Sequence, residues 1–431
     1  MTMPSQTPCA ERPEQAVILA GGRGTRLAPL TNAVPKPMLQ FHGKPFLEYL
    51  IELLREQGFS RILILVGYLP HVITEYFGDG NRFGVRIEYS KTAVENDTGL
   101  RVALARDKLD PIFLLMYSDN YWPMDFTTLW KAYLRSQAAA QVVVYRNRDG
   151  YTRHNLRVDG TGRVSVYDKS RQTADLEGVD IGFILMRREL LDLLPEGNTQ
   201  LEKELYPRLI AKHELSAFVS DHRYYSVGGF DRLWMTEEFL RRRGMVLLDR
   251  DGVLNRRMPR AQYVTNWEQW EWEPGALESL RLLHGAGVRC VVVSNQPGIA
   301  RGMLSQGALE ELNRRMCSDA EAAGGRIEHV YYCPHGWDEG CECRKPRPGM
   351  LLQAQRDYHL DLSRTWFIGD DERDGAAARA AQCKFAMVTP KNSLLKIILE
   401  LVASDFQPAG TGSSLSRKSD RLDGDPQSSR V

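Results

Sequence analysis

Short apolar runs that end in polar or glycine-rich corners recur along this chain, separated by longer stretches with apolar residues at helical spacing. Ala16 to Ala20 is unbroken by polar residues and predicts a buried strand. Pro45 to Gln57 sets Phe46, Leu47, Leu50, Leu53 and Leu54 at helical spacing and stops at Gly58. Arg61 to Val66 predicts the next strand, which completes a βαβ opening. Pro111 to Met116 predicts another strand, and Trp234 to Arg243 a helix with cations in its last turn, stopped by Gly244. Beyond it, strands are expected at Val246 to Leu248, Val288 to Val293, Thr365 to Ile368 and Lys384 to Val388. Helices at Pro274 to His284, Gln306 to Ala323 and Glu372 to Ala381 fall between them. Alternation of this kind predicts an α/β fold, with a mostly parallel sheet carrying helices on both faces.

At 431 residues the chain exceeds one ordinary core. Two domains are expected, 14–243 and 244–403, with disorder at 1–13 and in the Ser-, Gly-, Asp- and Arg-rich tail 404–431. Hydrophobic content of 43% and charged content of 26% fit a soluble globular protein. A formal charge of +1 leaves no field for nucleic acid or an anionic membrane. No apolar run approaches the ~18 residues of a membrane span. The polar start with Pro4, Pro8 and Pro13 does not read as a signal peptide, so the cytoplasm is the expected compartment.

Three features bring chemistry into this frame. Asp249 and Asp251 close the Val246 to Leu248 run. Positions two apart share one side of a strand, so both acids face one spot beyond its carboxyl end, where open α/β sheets place ligands. Two like charges held together call for a divalent cation or a shared proton; a solvated Asp-rich turn is the bland alternative. Next, Cys333, His335, Cys341 and Cys343 form two tight pairs of soft ligands. Without an export signal such bunching favours metal over disulfides, and four N/S ligands suit a closed, structural Zn²⁺. That ion would tie down a long loop and set Arg344 and Lys345 over the active site. Last, Gly21, Gly22 and Gly24 follow the first strand, where bare backbone N–H groups approach a phosphate and Arg26 adds a forked cation. Pro35 and Pro37 are expected to hold Lys36 on a stiff, non-helical turn.

Gly-Gly-x-Gly-Thr-Arg-Leu, then Pro-Leu-Thr and Pro-Lys-Pro-Met, resembles the signature of sugar-1-phosphate nucleotidyltransferases. The resemblance implies that Gly21, Gly22, Gly24, Thr25, Arg26 and Lys36 hold a nucleoside triphosphate. It implies that Asp119 binds Mg²⁺, that Lys169 contacts the sugar phosphate, and that Thr98 and Gly99 belong to a loop near base and sugar. Three positions depart from the pattern: Leu100 and Arg101 replace small residues, Asp168 replaces glutamate, and Ser226 stands where a second metal-binding aspartate is usual. The implied reaction is attack by a sugar 1-phosphate oxygen on the α-phosphorus with loss of pyrophosphate. Positioning and charge neutralisation carry such a reaction.

Asp-x-Asp-Gly, a strand ending Ser294-Asn295, Lys345 in Arg-Lys-Pro, and Gly-Asp-Asp-x-x-Asp together resemble the four motifs of haloacid-dehalogenase (HAD) phosphatases. The resemblance implies that Asp249 attacks phosphorus and becomes an aspartyl phosphate, while Asp251 acts as acid and then base. Ser294 or Asn295, with Lys345, would bind phosphoryl oxygens. Mg²⁺ would be held by Asp249, the Asp251 backbone carbonyl and Asp370. Asp371 and Asp374 would support the metal or cap the following helix. The cysteine pattern and the Asn295 to Gly302 segment resemble the heptose 1,7-bisphosphate phosphatases, implying substrate contacts from Arg301 and Arg344, although Gly336 to Gly340 is short for them. Histidinol-phosphate phosphatases share much of this pattern.

The expected whole is therefore two Rossmann-like three-layer domains, a nucleotidyltransferase fold followed by a HAD-like doubly wound parallel sheet. Its function would be bifunctional: removal of the 7-phosphate of a heptose 1,7-bisphosphate, then transfer of a nucleotidyl group to the heptose 1-phosphate. GTP is expected on a resemblance to heptose-1-phosphate guanylyltransferases. The alternative is a single phosphatase, for heptose bisphosphate or histidinol phosphate, carrying a silent nucleotide- or sugar-binding module.

Overall fold

A computed structural model describes residues 12–259 and 261–406. Of the disorder expected at 1–13 and 404–431, residues 1–11 and 407–431 lie outside the described residues, whereas Ser404 ends a helix and Phe406 packs on the second core. Two sheets organise the chain. The first has seven strands, ordered Leu215–Ser220, Ala140–Tyr145, Val179–Arg187, Ile112–Tyr117, Gln15–Ala20, Arg61–Val66 and Arg86–Lys91. Pairing is parallel except along Val179–Arg187, which runs antiparallel to both its neighbours. The second has five parallel strands, ordered His329–Cys333, Arg289–Asn295, Met245–Leu248, Trp366–Gly369 and Lys384–Met387.

The unbroken apolar runs are central strands because both their faces are covered. Ala16, Ile18 and Ala20 enter one core of the first sheet, and Val17 and Leu19 enter the core on its other face. Val246 and Leu248 divide from Met245 and Leu247 in the same way. Leu247 is fully buried, so Leu247→Ala would cost about 2–5 kcal/mol in lost transfer energy and cavity.

Two local expectations fail. Lys36 lies in a short 3-10 helix, Lys36–Met38, because Pro37 in the first turn gives up only an N–H that has no helical partner. The helix expected at Trp234 to Arg243 runs Phe230–Leu240, started by extended Gly229 with Asp231 in its first turn. The three arginines expected in its last turn, Arg241 to Arg243, fall beyond it, and Arg242 turns the chain at φ 49°. The helix Leu394–Ser404, unforeseen in sequence, packs on the second core through Leu394, Ile397, Ile398 and Leu401.

The halves dock directly. Arg148 pairs with Glu342 at 2.9 Å, and Arg364 pairs with Glu56. His222 Nε2 accepts from the Leu362 N–H at 3.3 Å.

Candidate active sites

The carboxyl ends of Met245–Leu248, Arg289–Asn295 and Trp366–Gly369 open into a cavity of about 1130 Å³ lined by Asp249, Asp251, Ser294, Asn295, Lys345 and Asp370. Asp249, Asp370 and Asp374 bring carboxylate oxygens within 4.8 Å of one another. Lys345, 2% exposed, donates to Asp249 at 2.9 Å, Asp374 at 2.7 Å and the Val293 carbonyl at 2.8 Å. Burial works against its charge, but the two carboxylates outweigh that and raise its pKa. Burial likewise pushes Asp249 well above the usual carboxylate range, with Lys345 opposing and Asp374 adding to the rise.

Glycine makes this crowding possible. A Cβ on Gly252, which sits at φ 96°, would collide with Asp370 Oδ2. A Cβ on Gly369 would collide with Asp374. Three acids are met by Lys345 and by one half-exposed arginine, and a cluster of hard oxygen donors of this kind fits Mg²⁺. Arg257, half-exposed and missed in the sequence, bridges Asp370 at 3.1 Å and Asp371 at 2.9 Å.

Asp251 points its carboxylate elsewhere. It receives Arg250 at 3.1 and 3.0 Å, Asn255 at 3.0 Å and Gln296 at 2.7 Å. Burial raises its pKa, but Arg250 and these hydrogen bonds outweigh it and hold the group ionised. The Asp251 side chain is thus outside the acid cluster, leaving its backbone carbonyl as the donor in the expected metal set. Arg250, 1% exposed, was not singled out in the sequence, and neither were Asn255 and Gln296.

Asn295 spends its carboxamide on the Lys345 backbone, donating to the carbonyl and accepting from the N–H, both at 3.0 Å. Both alternatives for phosphoryl binding line the cavity, and the Ser294 hydroxyl accepts from Gln296 at 2.8 Å. Asp371 caps the helix Glu372–Ala380, with Asp374 completing the capping box. Arg301 stacks on Tyr263 and Arg344 reaches the His335 carbonyl at 3.2 Å, both on the cavity wall.

Cys333, His335, Cys341 and Cys343 converge beside this cavity. The spacings Cys333–His335, Cys333–Cys341, Cys341–Cys343 and His335–Cys343 are 3.5, 3.6, 3.5 and 3.3 Å. A tetrahedron with 2.3 Å Zn–S bonds has edges of about 3.8 Å. The donor set and its spacing therefore fit zinc.

In the first half, Gly24, at φ 67°, packs on Lys36 and Thr31, while Gly21 lies buried against Arg101. Lys36 reaches Asp119 at 2.5 Å, joining the two sequence motifs at one point. The exposed Thr25 and Arg26 lie on the adjoining turn, and Gly22 is open to solvent. Ser226 pairs with Asn120 beside Asp119, and its hydroxyl accepts the Gly228 N–H at 3.0 Å. Thr98 and Gly99 instead face the 199–201 segment: Thr98 accepts from Leu201 N–H at 2.9 Å, and Gly99 N–H donates to Thr199 at 2.8 Å. Lys169 is over half exposed and lies 3.6 Å from Glu202.

A mixed seven-stranded sheet and an all-parallel five-stranded sheet, each with acids beyond a strand tip, define a two-part α/β protein. Residues 15–242 match the nucleotidyl transferase family and residues 342–394 the HAD-hydrolase-like family. A D-glycero-β-D-manno-heptose-1,7-bisphosphate 7-phosphatase from Pseudomonas aeruginosa is 41% identical over 146 residues, 34% of this chain and 81% of that protein. A UTP–glucose-1-phosphate uridylyltransferase from Synechocystis is 30% identical over 213 residues, 46% of this chain and 55% of that protein. A crystal structure of a D,D-heptose 1,7-bisphosphate phosphatase from B. bronchiseptica, complexed with magnesium and phosphate, is 31% identical with a TM-score of 0.35, covering 37% of this chain and 98% of that one. The chain belongs to the nucleotidyl transferase family in its first half and to the HAD-type phosphatase family of the Pseudomonas protein in its second. No helix among the described residues is long and apolar enough to cross a membrane.

Proposed function

We propose that residues 244–403 hydrolyse the 7-phosphate of a heptose 1,7-bisphosphate, and that residues 14–243 transfer a nucleotidyl group to the heptose 1-phosphate, in the cytoplasm. The convergence of Asp249, Asp370, Asp374 and Lys345 in one cavity carries the hydrolytic reading. Asp249 forms a bond to phosphorus as the ester P–O bond breaks, and Asp251, having taken up a proton from the monoprotonated phosphate of the entering substrate, passes it to the departing sugar oxygen. Water then attacks the aspartyl phosphate, Asp251 takes its proton, and inorganic phosphate leaves the restored Asp249 carboxylate. The ionised state of Asp251 suits this second step. Lys345 and Ser294 bind phosphoryl oxygens, and Arg301 and Arg344 line the route to the rest of the sugar. Asp249, the Asp251 carbonyl and Asp370 would hold Mg²⁺, which would supply charge neutralisation for the phosphoryl group. Cys333, His335, Cys341 and Cys343 would hold Zn²⁺, which would anchor the loop that carries Lys345.

For the first half, GTP is proposed as nucleotide, bound by Gly21, Gly22, Gly24, Thr25, Arg26 and Lys36, with Lys169 on the sugar phosphate and Mg²⁺ at Asp119. Release of pyrophosphate with a heptose 1-phosphate and each nucleoside triphosphate tests this, and release of phosphate from the bisphosphate tests the second half. A second reading, a first half that binds without turnover, draws on Ser226: its hydroxyl is taken by Gly228, and Asp119 is paired with Lys36. Absence of pyrophosphate with all four nucleotides would favour it.

A further inference from the structure

The chain from His222 to Ser226 runs between the two halves. Tyr225 and Ser226 pair with Tyr121 and Asn120, and the Val227 N–H donates to the Asp119 carbonyl at 2.9 Å, so this strand backs the segment that presents Asp119. Tyr225 is fully buried and stacks on Phe239 at 3.8 Å between ring centres. Its hydroxyl receives a hydrogen bond at 2.7 Å from Gln355, a residue of the phosphatase half that is itself fully buried. The other end of the same carboxamide accepts from the Arg223 N–H at 3.4 Å. Gln355 belongs to the helix Gly349–Tyr358, which follows Lys345 in the chain. A carboxamide with no exposure and both ends engaged across a domain boundary ties its helix to the Arg223 backbone and the Tyr225 side chain, since either end left unpaired would carry a desolvation cost.

We propose that Gln355 is a positioning residue for the nucleotidyl transfer reaction, acting from the phosphatase half through Tyr225 on the strand beside Ser226 and Asp119. The inference rests on the transfer reaction proposed above. The phosphatase half is then a structural part of the first active site, and the fusion is more than a tether. A chain lacking the usual second aspartate at Ser226 depends the more on exact placement of Asp119.

The test uses the full chain in three forms: wild type, Gln355→Leu, which keeps volume and loses both hydrogen bonds, and Gln355→Glu, which retains oxygens for Tyr225 and Arg223. Pyrophosphate release is measured with a heptose 1-phosphate and whichever nucleoside triphosphate the wild type uses, and phosphate release from the bisphosphate is followed in parallel. Misplacement by a fraction of an ångström predicts a kcat for transfer lower by roughly tenfold in Gln355→Leu, with KM little changed. Phosphate release should hold, and Gln355→Glu should recover most of the transfer rate. Unchanged transfer in Gln355→Leu, or a parallel fall of both activities, overturns the role. A wild type that turns over no nucleotide overturns the transfer reading and this role together.

Discussion

The Lys345 ammonium lies 2.9 Å from a carboxylate oxygen of Asp249, and the same ammonium is 2.7 Å from Asp374. Removing it strands two buried carboxylates. Lys345→Met should lower phosphate release by about 10²-fold or more and destabilise the chain by ~3–5 kcal/mol. Urea unfolding with and without Mg²⁺ checks this, because a bound cation should recover part of the loss. A variant as stable as wild type in metal-free buffer contradicts it.

Asp249→Asn should abolish phosphate release, since a carboxamide oxygen is no substitute for the attacking carboxylate. Nucleotide affinity, read by calorimetry, should be unaffected, because Asp249 and the Lys36–Asp119 pair belong to different sheets. Loss of both would contradict separate sites.

The four-ligand cluster predicts one zinc per chain by metal analysis of the purified protein. Cys343→Ser should lose it and lower the melting temperature. Phosphate release should fall with it, because the loop that ends at Lys345 loses its anchor. Retention of full zinc content in the variant contradicts the assignment.

Much of the phosphatase site was legible because its motifs fall at strand ends, where the apolar run itself locates the residue. Asp249, Ser294 and Asp370 all sit at such ends. What escaped notice acts through side-chain direction, which spacing does not encode. Asn295 turns to the Lys345 backbone, and Asp251 turns to the flanking Arg250. Arg257 has no periodic signal at all. In the first half, Thr98 and Gly99 were read as ligand contacts, and their main engagement is with Thr199 and Leu201, far along the chain. A pairing across that separation leaves no trace in local pattern.

Asp180 carries a pH signature. Burial raises its pKa to about 7, with Glu202 adding to the rise and the Gly182 N–H opposing. The fold therefore favours the protonated form, and the folded chain binds more protons than the unfolded one between about pH 4 and 7. Stability should fall as pH rises through that window. Asp180→Asn removes the titration, so its melting temperature should drop less between pH 5 and 8 than that of wild type. Identical slopes would contradict the shift.

One incubation addresses the pairing of activities most directly. Purified full-length chain is given a heptose 1,7-bisphosphate, Mg²⁺ and one nucleoside triphosphate at a time, and inorganic phosphate, pyrophosphate and nucleotide sugar are followed together. Phosphate should appear first, with pyrophosphate and a nucleotide-linked heptose following in equal amounts, GTP serving best. Phosphate release with no pyrophosphate from any of the four nucleotides would contradict a chain that performs both steps.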